Sequence, residues 1–246
     1  MSSLSRILAV LDLLTPARPE ITAEQIAEAL EISLPTSYRY VRELIAVGLL
    51  RKAAEGRFAL GARIVELDHQ MRTTDPLLRA AQERMRALAQ RTGFAVTLVS
   101  LLGERMITLH LEQGSEPIDI SYGRGRPMPV LRGTPGLTLL ANLPRARQRA
   151  LFEAHGANEQ LADWPRLQSR LSSIRRQGYG LSAGELDAHN AGIAVPVRDA
   201  TGRPLAALCL VLPRERLEML QVERLVQWLQ EAATAISSLL ENGSAP

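Results

Sequence analysis

ITAEQIAEALEISLPTSYRYVRELIAVGLL, residues 21–50, holds two helical patterns around a short break, the first bearing acids and the second arginines. Thr22 stands three residues before Gln25 at the head of AEQIAEAL. In this capping-box spacing a hydroxyl and an amide each satisfy an otherwise orphan backbone donor. The spacing predicts a short helix beginning at Ala23. After Glu31-Ile32-Ser33, the second pattern places Val41, Leu44 and Ile45 on one inward stripe. Ser33 serves as cap, Pro35 sits in a first turn where no intrahelical donor is needed, and Gly48 terminates the run. Thr36, Ser37, Tyr38, Arg39 and Arg42 are then the candidates for contact with a partner.

Working outward, LSRILAVLDLL spaces Leu4, Ile7, Leu8, Leu11 and Leu14 as a helix that Pro16 and Pro19 stop. Downstream, LLRKAAEGRFALG alternates on both sides of Glu55-Gly56, the pattern of a two-stranded hairpin. Three short helices followed by a hairpin make a winged helix-turn-helix, expected over residues 1–60. In that fold the third helix enters a DNA major groove about 12 Å wide with its N-terminal side chains on base edges and phosphates. GARIVELDHQMRTTD, residues 61–75, continues at helical spacing as a linker until Asp75-Pro76 breaks it.

Charge supports this reading only locally. Residues 1–75 carry nine basic and ten acidic side chains, so the segment as a whole attracts no polyanion. Between Ser33 and Arg57, however, Arg39, Arg42, Arg51, Lys52 and Arg57 face only Glu43 and Glu55, a net +3 on the expected DNA face. Arg57 belongs to the wing and is a candidate phosphate contact. The competing reading of the same arginines is a solvated face on a protein-docking module, and the polar third helix favours DNA.

The pattern changes after Pro76. PLLRAAQERMRALAQRTG reads as a helix, FAVTLVSLLG and RMITLHLE as strands joined at Gly103, and DISYGRG as a third strand. TPGLTLLANL, ARQRALFEA and LQSRLSSIRRQG read as helices, IAVPVRDATGRPLAALCLVLP as two strands across a turn, and VERLVQWLQEAATAISSLL as a closing helix. The mixed order predicts an α+β domain over residues 76–246, an antiparallel sheet flanked by helices.

With 46% hydrophobic residues among 246, the chain has ample material for packed cores. One cysteine, Cys209, and four scattered histidines give no disulfide and no metal-ligand spacing, so neither metal nor cofactor is expected. No apolar run spans a membrane, and the N-terminus lacks the features of a signal peptide, which predicts a cytoplasmic protein. GLSAG, residues 180–184, fits the G-x-S-x-G pattern and makes a serine esterase built on Ser182 the enzyme alternative. A nucleophile elbow needs a strand directly before the serine and a helix directly after. Here a helix-like SSIRRQGY precedes and a loop-like GELDAHN follows, so no enzyme is expected.

SLSRILAVLDLL, ITAEQIAEAL, RYVRELIAVGLL, EGRFALGARIVELD, IRRQGY and GIAVPVRDATGRPLAAL resemble, in that order, segments of the IclR family of bacterial transcription regulators, across essentially the whole chain. Pro35-Thr36 departs from the serine-threonine pair common in the family at the start of the recognition helix. The resemblance implies a GAF-like effector domain whose ligands are small organic molecules, frequently aromatic or short-chain carboxylates. It also implies a double-stranded DNA operator with palindromic half-sites, read by a homodimer or a dimer of dimers.

On the family pattern GRPMPVLRGTPGLTLLA closes over the ligand, and Glu185 matches a common glutamate. A pocket of that kind needs apolar walls and a few convergent polar groups. Met128, Leu131 and Val211 are candidate walls, with Gly133, Thr134 and Gly136 giving close backbone approach. Arg132, flanked by Arg124 and Arg126, is a candidate partner for a carboxylate. Cys209 is either a ligand contact or a buried small hydrophobe. Leu137 and His189 depart from a common lysine and glycine. A DNA-binding protein without an effector is the remaining alternative.

Overall fold

A computed structural model describes residues 3–159 and 163–243. It divides into two units, Met1–Thr74 and Asp75–Pro246. In the first, α1 (Ser3–Asp12), β1 (Ile21–Thr22), α2 (Ala23–Ala29), α3 (Leu34–Ala46), β2 (Leu50–Lys52), β3 (Arg57–Leu60) and α4 (Arg63–Thr74) follow in order. The capping box at Thr22 is formed: Gln25 N donates to the Thr22 hydroxyl and Thr22 N to the Gln25 side chain, at 3.3 and 3.0 Å. Ser33 holds the N-cap position of α3, yet its hydroxyl bonds the Thr36 hydroxyl at 2.8 Å and leaves the backbone uncapped.

Helices α2 and α3 are joined through Glu31, the single described non-glycine residue with positive φ, at 52°. That left-handed step lets Ile32 N reach Ala27 O at 3.0 Å and closes the turn tightly. Val10, Ile21, Ile26, Tyr40, Val41, Leu44 and Leu50 share one core, so the predicted stripe of α3 does face inward. Strand β1 was not anticipated; it pairs antiparallel with β3, which in turn pairs with β2, giving a three-stranded wing. Two residues are too few to show an alternating pattern in sequence.

The second unit comprises α5 (Pro76–Thr92), β4 (Ala95–Leu102), β5 (Arg105–Glu112), β6 (Pro127–Met128), α6 (Thr134–Ala141), α7 (Arg145–His155), α8 (Trp164–Gln177), β7 (Gly180–Ala183), β8 (Asn190–Arg198), β9 (Pro204–Pro213), a 3-10 turn (Arg214–Met219) and α9 (Val222–Gly243). Its sheet is antiparallel throughout, in the order β6-β5-β4-β9-β8-β7. DISYGRG, expected as a strand, is irregular: Thr108 donates to Tyr122 O and Gly125 N to Thr108 O, which fold the segment back over β5 instead of extending it. The edge is completed by β6.

Alternation along the strands decides where space is left. Leu208, Leu210 and Leu212 of β9, with Ile193 and Val195 of β8, pack under α5 and α9. Their neighbours Ala207 and Cys209, with Ala194, face α6 and α8. Large aliphatics fill the first face, and the smaller side chains of the second leave a void.

Candidate DNA-binding face and effector cavity

Arg39, Arg42 and Tyr38 of α3 and Lys52 and Arg57 of the wing line one open groove in the first unit. The Arg42 side chain is 75% exposed and 3.8 Å from Glu43, a surface pair too solvated to hold it in place. Arg39 lies 5.7 Å from the centre of the Tyr40 ring, which orients the guanidinium without covering its donors. Tyr38 is half exposed, and its hydroxyl donates to Glu24 on α2 at 3.3 Å. The Glu24 carboxylate holds that phenol above its ordinary range, so Tyr38 stays protonated.

Thr36 is half-buried in its contact with Ser33. Ser37 does not belong to this face. It is 0% exposed, and its hydroxyl donates to Ala23 O at 2.7 Å. One helical turn separates Ser37 from Val41, which puts it on the inward stripe that its polarity disguised. Ser37→Ala would remove a buried hydrogen bond to a carbonyl that keeps its helical partner, and we expect a loss of roughly 0.5–1.5 kcal/mol in the first unit's stability, read by denaturant unfolding.

In the second unit, a cavity of about 50 Å³ lies between α6 and the small-residue face of the sheet. The cavity is partly open to the surface and has the dimensions of a site for a small organic ligand. Met128, Thr134, Glu185, Cys209 and Val211, all expected from sequence, line it. Leu131, Arg132 and Gly133 are not among its lining residues. Leu131 is buried in the core beneath α6 and α8, its N–H bonded to Glu159, and Arg132 is exposed. Gly133 gives its N–H to Glu185 at 2.9 Å, and a Cβ there would strike the Leu186 side chain at 2.5 Å. Arg124 and Arg126 are likewise not lining residues.

Ser182 of GLSAG also lines it, and residues missed by sequence reading add to the lining: Thr97 and Thr108 from the sheet, Ile120 and Tyr122 from the folded-back loop, and Leu186 and Asp187 from the loop after β7. Asp187 accepts from Ser121 N at 3.2 Å and Asn190 donates to Asp119 O at 2.8 Å, so the two loops clasp each other over the cavity. For the sheet-borne part of this space, the small–large alternation of ALCLVL is a signal that the sequence carries.

Ser182 lies within β7 at the sheet edge, and loop follows it, so the strand-to-helix elbow is not formed. Its hydroxyl is bonded to that of Thr134. Cys209 is buried, and the loss of hydration pushes its thiol up to about 12 despite hydrogen bonding from Thr97. At neutral pH it carries no thiolate, the form in which a cysteine attacks. Iodoacetamide at pH 8 is therefore expected to leave the native protein unlabelled and to label Cys209 after denaturation, as intact mass will show.

A winged helix-turn-helix with an arginine-bearing third helix, in one chain with an α+β unit, defines a transcriptional regulator with a DNA-binding and an effector domain. Residues 3–54 match the family model described as IclR helix-turn-helix domain, and residues 69–238 match that described as Bacterial transcriptional regulator IclR C-terminal. The chain belongs to the IclR family of bacterial transcriptional regulators.

Among its relatives, the HTH-type transcriptional regulator XynR of Escherichia coli is 28% identical over 98% of this chain and 97% of its own. The Pca regulon regulatory protein of Pseudomonas putida is 29% identical over 85% of this chain and 73% of its own. An IclR homolog from Microbacterium hydrocarbonoxydans, solved in complex with 4-hydroxybenzoate, superposes with a TM-score of 0.80 at 28% identity, covering 98% of this chain and all of that one. Among the described residues, no helix is long and apolar enough to cross a membrane.

Proposed function

We propose that this protein binds a palindromic DNA operator as a homodimer or dimer of dimers and releases or grips it in response to a small organic metabolite held in the second unit's cavity. The observation that carries the DNA half is the convergence of Arg39 and Arg42 of α3 with Lys52 and Arg57 of the wing on one groove. Arg39 and Arg42 read guanine edges or clamp phosphates, while the wing cations track the adjacent backbone. Thr36 and Tyr38 position the helix.

One recognition helix spans too few base pairs for a unique site, and a two-fold pair doubles the reading. Leu4 and Leu8 of α1 and Val65, Leu67 and Met71 of α4 support self-association, since all five are exposed in the single chain. The effector half rests on the cavity of the second unit and on the relative solved with 4-hydroxybenzoate. Ligand shifts operator affinity by its differential affinity for two arrangements of the protein.

The test begins by selecting the operator from a random-sequence DNA pool with the purified full chain. An inverted repeat is expected, with half-sites about 10 base pairs or a multiple apart. Selected sequences without two-fold symmetry sink the paired reading. Organic acids, alcohols and amines titrated into the complex then probe the switch: compounds that stabilise the protein thermally must change operator affinity. A protein whose operator affinity no cavity binder changes is a DNA-binding protein without an effector.

A further inference from the structure

Two grooves border α3, one against the wing and one against α1. Tyr38 and Ile45, two turns apart, lie on the wing flank, while Thr36 and Glu43, also two turns apart, lie on the α1 flank. Arg39 lines both grooves, so it sits on the crest of the helix between them. At the N-terminal end of α3 the groove on the α1 side is lined by Arg6, Glu31, Ser33, Thr36 and Arg39. Farther along α3, Leu4 and Ile7 of α1 and Glu43 take their place beside Arg39.

Hydrogen-bond donors at the N-terminal end are unspent. Neither Arg6 nor Arg39 has a carboxylate partner among the described residues, and both are exposed. The Ser33 and Thr36 hydroxyls bond each other at 2.8 Å, which uses one of their two protons and leaves the other free to give. Glu31 is the one acid among the described lining residues there, so two guanidinium groups outweigh it. Two cations and a spare hydroxyl proton around one opening suit an anion with several acceptor oxygens, and a DNA phosphate is such an anion.

We propose that Arg6 of α1 binds a phosphate of the operator on the flank of α3 away from the wing, so that the helix is clamped in the major groove from both sides. This rests on the reading of α3 as the recognition helix. A helix in the major groove lies between the two phosphate backbones that border it, about 12 Å apart. Lys52 and Arg57 serve one backbone from the wing groove, and the other then passes over the groove that Arg6 lines. A phosphate contact fixes register without reading sequence, so Arg6 adds affinity and leaves specificity to Arg39 and Arg42. Glu31, in the same groove, opposes that phosphate and trims the affinity.

The test measures the affinity of the full chain for its selected operator and for an unrelated duplex across a series of salt concentrations. Arg6→Ala is expected to weaken both about 5-fold and to flatten the slope of log affinity against log salt by about 0.9 per bound chain. Glu31→Gln should tighten both about 2-fold. Arg72→Ala removes the same charge from a residue that lines neither groove, and it should move both affinities far less. Arg6→Lys keeps a cation for the phosphate and should restore most of the binding, which separates the contact from any loss of stability in the alanine variant. If Arg6→Ala matches the parent in both affinities and in slope, the α1 contact falls while recognition by α3 stands. A loss confined to the operator with an unchanged slope makes Arg6 a base reader and overturns the phosphate contact, and an equal effect of Arg72→Ala reduces it to overall charge. A parent chain that binds neither duplex removes the DNA-binding reading, and this inference with it.

Discussion

Replacing Arg39 and Arg42 together with alanine is expected to weaken operator binding at least ~30-fold, since each guanidinium–guanine pair contributes about 1–3 kcal/mol. Both side chains are exposed on α3, and the ion pair of Arg42 with Glu43 is too solvent-exposed to make either structural. The unfolding transition should therefore stay where it is, which separates loss of contact from loss of fold. The salt dependence identifies the kind of contact. If an arginine clamps phosphate, its removal flattens the slope of log affinity against log salt by about 0.9. An arginine that reads a base relaxes the sequence preference at one operator position and leaves the slope unchanged. A double variant that binds the selected operator as tightly as the parent would remove α3 from the interface, and with it the proposed function.

The second large effect is expected at Gly61, on the stability of the same unit. Its N–H bonds Leu49 O at 2.9 Å, and a Cβ would lie 2.1 Å from Gly48 O and 2.9 Å from Leu50 O. These are backbone atoms, which have no rotamer to escape into. Gly61→Ala forces the end of β3 away from the α3–β2 turn, at a cost we put at about 3 kcal/mol or more. A unit the size of Met1–Thr74 commands roughly 4–11 kcal/mol in all. Its melting transition should fall by about 12 °C or more, with operator binding lost in parallel. Gly56→Ala is the control. Gly56, unlike Gly61, has positive φ, at 68°, but a Cβ there meets nothing within 4 Å, so the expected cost is only about 1–2 kcal/mol of backbone preference. Equal melting temperatures for the two variants would refute the packing argument.

Contacts close in sequence were legible. The Thr22–Gln25 box and the Val41–Leu44 stripe depend on neighbours within a turn or two, and both are present as read. The irregular course of DISYGRG was not legible, because its partners, Thr108 and Asp187, sit at the far side of other elements. Ser37 misled for a related reason: a hydroxyl on an inward stripe looks exposed until the carbonyl that accepts its proton is known.

The cavity divides along the same line. The amino-acid sequence by itself determined the order of helices and strands, the arginines on the third helix and the alternation of small and large residues in β9, since all of these are periodic in the chain. Tertiary structure alone decided that Arg132 stays out of the cavity, that Glu185 spends its charge on Gly133 and Arg170, and that the hydroxyls of Thr134 and Thr108 have no proton left to give. The reason is that hydrogen-bond direction and charge compensation belong to pairs of groups, and these pairs form only when residues from different strands and loops are brought within reach of one another.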